Sequence, residues 1–182
     1  MCMIRFEKVS FEQYYIDRKK SDKYITKPQA EEEYKYIRLP KRATVDSAGY
    51  DFFAPYAFDL HKYYANFDYH DIRKNPVLIP TGIRWVTDNK DVVLLMFPRS
   101  SLGFMHNFSL YNTVGVIDSG YFCSDNEGHI MAKVSANDNI SIEQGKAFMQ
   151  GIIVPFIKTD DDDTTEIRNG GLGSTDKKWI KV

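Results

Sequence analysis

From residue 37 onward the chain is punctuated by turn residues at intervals of roughly ten, a rhythm typical of β-sandwiches and barrels: Ala48-Gly49, Pro76, Pro80-Thr81-Gly82, Asp88-Asn89, Gly103, Asn112, Gly115, Gly120, Asn137-Asp138-Asn139 and Gly145. The apolar runs between them are too short to repeat a helical stripe, and no amphipathic segment of helix length follows residue 40. Strands do not alternate with helices in βαβ fashion. The chain carries 12 Tyr and 12 Phe, and aromatic enrichment favours pleated, half-buried strands. An all-β sandwich or barrel is therefore expected. Residues 92–97 and 151–156 are apolar on both parities and read as strands buried on two faces. Residues 77–79 and 83–86 flank Pro80-Thr81-Gly82 and read as a hairpin.

The flanks have a different texture. Residues 1–36 are polar, with Arg18, Lys19, Lys20 and the run Glu31, Glu32, Glu33, and are expected to form a solvated N-terminal extension with at most a short helix. A role in capping or in contacting another subunit is the competing reading. Residues 55–75 are crowded with Tyr, Phe, His and Asp and form a long connection, of a length that is often functional. The division expected is thus 1–36 extension, 37–158 β domain and 159–182 flexible arm. Four aspartates open that arm at 160–163. Adjacent carboxylates cannot all face one ion, so a solvated linker is favoured over a metal site.

The net charge of −1 gives no overall pull toward nucleic acid or an anionic membrane. Only Cys2 and Cys123 are present, with no secretory segment ahead of them, which favours free thiols and a cytoplasmic setting over a disulfide framework. No apolar run is long enough to span a bilayer. The four histidines, His61, His70, His106 and His129, lack a Cys or His partner at ligand spacing and are expected at the surface or in packing.

Five segments carry chemistry: Ala48-Gly49-Tyr50-Asp51; Pro98-Arg99-Ser100-Ser101-Leu102-Gly103; Gly115-Val116-Ile117-Asp118-Ser119-Gly120-Tyr121; Gly145-Lys146-Ala147-Phe148-Met149-Gln150; and Arg168-Asn169-Gly170-Gly171-Leu172-Gly173-Ser174-Thr175. The last suits a phosphate chain. Gly170, Gly171 and Gly173 leave backbone N–H groups uncovered, and Ser174 and Thr175 add hydroxyl donors. Arg168 and Arg99 can each fork onto a phosphate. There is no Walker lysine, which disfavours a P-loop enzyme. A disordered tail and an ordinary Arg-Ser-Ser surface turn are the bland alternatives for single segments.

Together, in this order, the five segments resemble the five motifs of the trimeric, all-β dUTPase family, from about residue 42 to 176. The Ser-Ser version of the second motif and Leu172 in the fifth look like the branch found in phages and Gram-positive bacteria. The resemblance implies a β-clip, or distorted jelly-roll barrel. It also implies hydrolysis of dUTP to dUMP and pyrophosphate, Mg²⁺ as cofactor, and a homotrimer with shared sites. In the family the third motif is a hairpin around the pyrimidine. Main-chain groups including those of Gly115 and Ile117 read uracil, Asn112 assists, and Tyr121 lies flat on the deoxyribose and rejects a 2′-hydroxyl. Asp118 accepts from the 3′-hydroxyl and activates the attacking water. Asp51 holds Mg²⁺ through water, as an ion that dehydrates reluctantly prefers. Ser100 and Ser101 donate to phosphates, Gln150 holds the nucleophilic water, and Arg168, Gly171, Leu172, Gly173, Ser174 and Thr175 close over the triphosphate as a lid.

This sequence departs from the family pattern in three places. Phe122 to Glu127 are inserted before Gly128-His129-Ile130. Ala147, Met149 and Gly151 replace the usual arginine, alanine and leucine around Gln150. Leu172 replaces the phenylalanine that stacks on uracil, a contact worth about 1–3 kcal/mol, and Trp179 is the candidate substitute. Two rival functions follow. A dCTP deaminase needs a glutamate where Lys133 stands, and lysine cannot shuttle that proton. A non-catalytic regulator that binds dUTP or a protein partner such as a repressor is compatible with the insertions at 55–75 and 122–127, but not favoured while Asp51, Asp118, Gln150 and Arg168 are all present.

Overall fold

The computed structural model describes residues 3–61 and 76–165. In chain order the elements are β1 (Ile4–Lys8), α1 (Phe11–Ser21), α2 (Lys27–Lys35), β2 (Lys41–Arg42), β3 (Tyr50–Phe53), β4 (Phe58–Leu60), β5 (Val77–Pro80), β6 (Ile83–Thr87), β7 (Val92–Pro98), α3 (Ser100–His106), β8 (Ser109–Leu110), β9 (Gly115–Asp118), a 3₁₀ turn (Tyr121–Cys123), β10 (Met131–Ser135), β11 (Ile140–Ile142) and β12 (Ala147–Pro155). The β character expected from the turn rhythm holds. Among the described residues the strands lie in four sheets, β1-β6, β5-β10-β8, β11-β4 and β2-β3-β12-β7-β9, rather than in one closed barrel. The two runs expected as buried strands do form strands, β7 and the second half of β12, and pair antiparallel within the five-stranded sheet. They are not buried on both faces. In β7 Leu94 and Met96 are buried while Val93, Leu95 and Phe97 are partly exposed, and Ile152, Ile153 and Val154 of β12 are partly exposed. Among the described residues no helix is long and apolar enough to cross a membrane.

The expected hairpin across Pro80-Thr81-Gly82 does not form. β5 pairs with β10 and β6 pairs with β1, so the chain crosses from one sheet to another at this point. The reason lies in what the turn bonds to. The Thr81 N–H and hydroxyl both donate to the Ile130 carbonyl, and the Gly82 carbonyl accepts from the Val9 N–H. Gly82 itself adopts φ +73, and a Cβ there would collide with the Ile37 side chain.

Residues 3–35 are not a solvated arm. β1 extends β6, and Val9, Tyr14, Ile25 and Ala30 lie in the main core beside Phe52, Leu60, Ile79 and Phe148. The helices start on conventional caps. The Ser10 hydroxyl accepts from the Gln13 N–H, and Thr26 and Gln29 form a capping box with Pro28 in the first turn. Charge counting misleads here because the charged groups are buried in pairs. Arg18 forks onto Glu33 at 2.9 and 3.1 Å, and its guanidinium lies 3.8 Å from the centre of the Tyr56 ring. The Tyr14 hydroxyl donates to the same Glu33. Burial, with Glu33 alongside, pushes the Tyr14 pKa upward, so it stays a donor.

The insertion at 122–127 forms the 3₁₀ turn and a tight return. Glu127 and Gly128 both have positive φ, +57 and +69. A Cβ on Gly128 would run into the Phe122 backbone and come within 2.8 Å of the Tyr121 carbonyl. Gly128→Ala meets backbone on two sides in a left-handed conformation, and is expected to cost about 2–4 kcal/mol. For a chain of this size that lowers Tm by roughly 5–15 °C. Thermal unfolding by circular dichroism checks it, and an unchanged Tm would mean that the loop is free to open.

Candidate functional site

Three of the five motifs meet at one end of the five-stranded sheet. In β12 a bulge between Ala147 and Met149 buries Phe148 and Met149 in succession and sets Gln150 opposite both Asp51 of β3 and Phe97 of β7. Beyond Phe97 the chain turns through Pro98 and Arg99 into α3. The Arg99 guanidinium reaches back to Asp51, Nε to Oδ1 at 3.4 Å. The Gln150 amide donates to the Pro98 carbonyl at 3.4 Å. Gly49 has a specific part here. A Cβ at this position would stand 2.6 Å from Gln150 Oε1, so glycine makes room for the amide beside Asp51. Lys41 is paired with Asp51 on the outer strand. Ser100 and Ser101 are exposed in the first turn of α3, next to Arg99.

The site therefore offers a partly buried carboxylate, a half-exposed guanidinium, an amide and two hydroxyls, which is a set suited to a polyphosphate rather than to a bare metal. Asp51 is a single carboxylate. Among the described residues no group of three or more His, Cys, Asp or Glu could enclose an ion. That fits a cation held mainly by water and by substrate oxygens.

Asp118 lies elsewhere. It ends β9, exposed, opposite Val93, whereas Gln150 is opposite Phe97. Four residues along β7 and two strands across, the separation is roughly 16 Å. Gly115, by contrast, is buried tightly against Met96. A Cβ on Gly115 would stand 3.0 Å from Met96 Cβ and 3.9 Å from Asn112 Nδ2. Ile117 is half-buried against the core.

In the third motif the chain reverses between β8 and β9, where the Thr113 N–H donates to the Leu110 carbonyl. Among the described residues β9 pairs in a ladder only with β7, and the chain then enters the 3₁₀ turn, while β10 pairs with β5 and β8. Tyr121 is buried, with its hydroxyl donating to the His129 carbonyl at 3.1 Å and accepting from Asn126 at 2.9 Å. Lys133 lies on β10, its ammonium over the Tyr111 ring at 4.7 Å.

Several expectations fall outside the described residues: Arg168, Gly170, Gly171, Leu172, Gly173, Ser174, Thr175 and Trp179, and the span 62–75. The neighbour that sequence reading missed is Gly49's fit against Gln150. The glycine itself was visible, but its partner is a hundred residues away in the chain and only strand pairing joins them.

The family model described as dUTPase matches residues 35–176, most of the chain. The chain belongs to the dUTPase family. A deoxyuridine 5′-triphosphate nucleotidohydrolase of Lactococcus lactis is 37% identical over 144 residues, covering 76% of this chain and 88% of the relative. Among solved structures, the dUTPase of Streptococcus mutans superposes with a TM-score of 0.57 at 26% identity, covering 86% of this chain and 98% of that one. The dUTPase of phage phi11 of S. aureus gives a TM-score of 0.58 at 16% identity, covering 90% and 97%, a likeness of fold. With the dUTPase family in view, Asp51, Arg99, Ser100 and Gln150 are the motif positions gathered at one sheet end.

Proposed function

We infer that this chain hydrolyses dUTP to dUMP and pyrophosphate. The observation that carries the reading is the sheet register that brings Asp51, Arg99 and Gln150 together and keeps Asp118 at the far end of β7. A lone chain would leave the water-activating carboxylate roughly 16 Å from the phosphate-binding groups, so the working unit is a homotrimer in which each site draws on neighbouring subunits. One subunit supplies Asp118 with Asn112, Gly115, Ile117 and Tyr121. A second supplies Arg99, Ser100 and Ser101, and the tail with Arg168, Gly171, Leu172, Gly173, Ser174 and Thr175 comes from the third.

In the reaction, Asp118 takes a proton from water as its oxygen bonds to the α-phosphorus. The bond to the oxygen bridging the α and β phosphates breaks, and that oxygen leaves with pyrophosphate. Gln150 orients the water. Arg99 and the serine hydroxyls hold the phosphate oxygens in line, where positioning and charge neutralisation do most of the work. Asp51 would hold Mg²⁺ through water, and the ion when bound would supply charge neutralisation along the phosphates. The Asp51–Arg99 contact is long enough to loosen as phosphate takes over Arg99. The phage phi11 dUTPase coordinates a structural Mg(II) ion, so binding of the metal at a second place is a separate outcome for the assay. The non-catalytic regulator is not favoured, because a 37% identical relative is a nucleotidohydrolase and the acid–amide–guanidinium set is intact.

Pyrophosphate release measured with each of the eight common nucleoside triphosphates is expected to show turnover of dUTP alone, lost with a chelator and restored by Mg²⁺. Release of ammonia from dCTP without pyrophosphate, measured in parallel, or no turnover while dUTP binds, would overturn the reading in favour of the deaminase or the regulator respectively.

A further inference from the structure

β2, the outer strand of the five-stranded sheet, carries a cation that none of the five motif segments contains. Lys41 is paired with Asp51, and Asp51 in turn with Gln150, across three antiparallel strands. Residues directly opposed in such ladders share one face, with Cβ atoms about 4.5–5.5 Å apart. Lys41, Asp51 and Gln150 therefore form a single row on the face that holds the candidate site. Lys41 is exposed, and among the described residues its ammonium has no ion-pair or hydrogen-bond partner. Its neighbour Arg42 is occupied, donating to the Val45 and Ser47 carbonyls at 2.8 and 3.2 Å in the loop that leads to Gly49.

Two cations at this end of the sheet thus differ in state. Arg99 is held by Asp51 at 3.4 Å, whereas the Lys41 ammonium stands unpaired on a long flexible stem. The order along the row decides which part of a triphosphate each side chain would meet. Gln150 orients the water at the α-phosphorus, and Asp51 holds the ion along the phosphates. Lys41 lies beyond both, two strand spacings or roughly 10 Å from the Gln150 backbone. Among the described residues no strand lies outside β2, so this end of the row is open. We propose that Lys41 is a substrate-binding residue that takes the terminal phosphate of dUTP. The proposal rests on the reading of this sheet end as the phosphate-binding part of a dUTP-hydrolysing site. The terminal phosphate carries the most negative charge of the chain and projects furthest from the base, and a compact ammonium meets it as a point charge.

The test measures binding of a non-hydrolysable dUTP analogue and of dUMP by calorimetry. Lys41→Ala is expected to weaken the analogue about tenfold, as loss of one charge-assisted contact does, and to leave dUMP, which lacks the terminal phosphate, within about twofold. In turnover, KM for dUTP should rise with kcat little changed, because the lysine holds substrate and transition state alike. Lys41→Arg keeps the charge and should stay within about threefold of wild type. Lys41→Gln keeps most of the stem without the charge and should show the same loss as alanine. Tm should barely move, since the residue is exposed on an outer strand. Lys23→Ala removes the same charge from the exposed turn between α1 and α2 and should leave both affinities unchanged. If Lys41→Ala binds the analogue as tightly as a wild type that hydrolyses dUTP, the proposal falls alone. Equal weakening of analogue and dUMP, full affinity in Lys41→Gln, or an equal loss in Lys23→Ala would overturn it as well. A wild type that binds neither the analogue nor dUMP would overturn the reading of the site, and the proposal with it.

Discussion

Asp118→Asn is expected to lower kcat for dUTP by about a hundredfold or more while barely changing substrate binding. Asparagine has the shape of aspartate and keeps an oxygen that can accept from a 3′-hydroxyl, so ground-state contacts persist. It has no basic lone pair for the proton of the attacking water near neutral pH. Asp118 is exposed at the end of β9, where its backbone faces Val93 across the ladder, so the substitution leaves the sheet undisturbed and thermal stability should barely move. Single-turnover hydrolysis, alongside binding of a non-hydrolysable dUTP analogue, separates the two effects. Turnover near the wild-type rate would remove Asp118 from the chemistry.

Two inactive variants are expected to restore activity when they share a trimer. Asp118→Asn disables the water-activating part of a site and Arg99→Ala the phosphate-binding part. One chain cannot bring these two residues together, because Asp118 is opposite Val93 while Arg99 follows Pro98 at the other end of the same strand. If each site takes them from different subunits, a mixed trimer contains sites in which both parts are intact. Random assembly from equal amounts of the two variants gives such sites with a frequency of roughly one in four, so about a quarter of wild-type activity should return on co-refolding. Each variant alone stays inactive. Absence of recovery, with mixed trimers demonstrated by differential tagging, would mean that the two residues serve one site from one chain, and the shared-site assembly would fall.

The sequence by itself determined the β class and the residues of the candidate site. Turn residues recur too often for long helices, and β7 and β12 were legible as strands from their short apolar runs, although the structure leaves one face of each partly exposed. Asp51 and Gln150 were legible as motif residues through the resemblance to the dUTPase family, and Arg99 also because a guanidinium can fork onto a phosphate. The inserted residues 122–127 were also visible, as a break in the motif pattern.

Tertiary structure alone decided how these pieces are joined. The turn at Pro80-Thr81-Gly82 looks local, but its hydrogen bonds go to Val9 and Ile130, and partners so distant leave no periodic trace. Nor does the sequence of the inserted loop show that the Tyr121 hydroxyl bonds the His129 carbonyl. The N-terminal segment reads as solvent-exposed because charge is normally solvated, yet Arg18 is desolvated against Glu33, and Asp17 against His129. A buried charge is tolerable only with its partner in place. Since pairing is a property of positions in space rather than of neighbours along the chain, only the folded molecule shows that this charged segment belongs to the core.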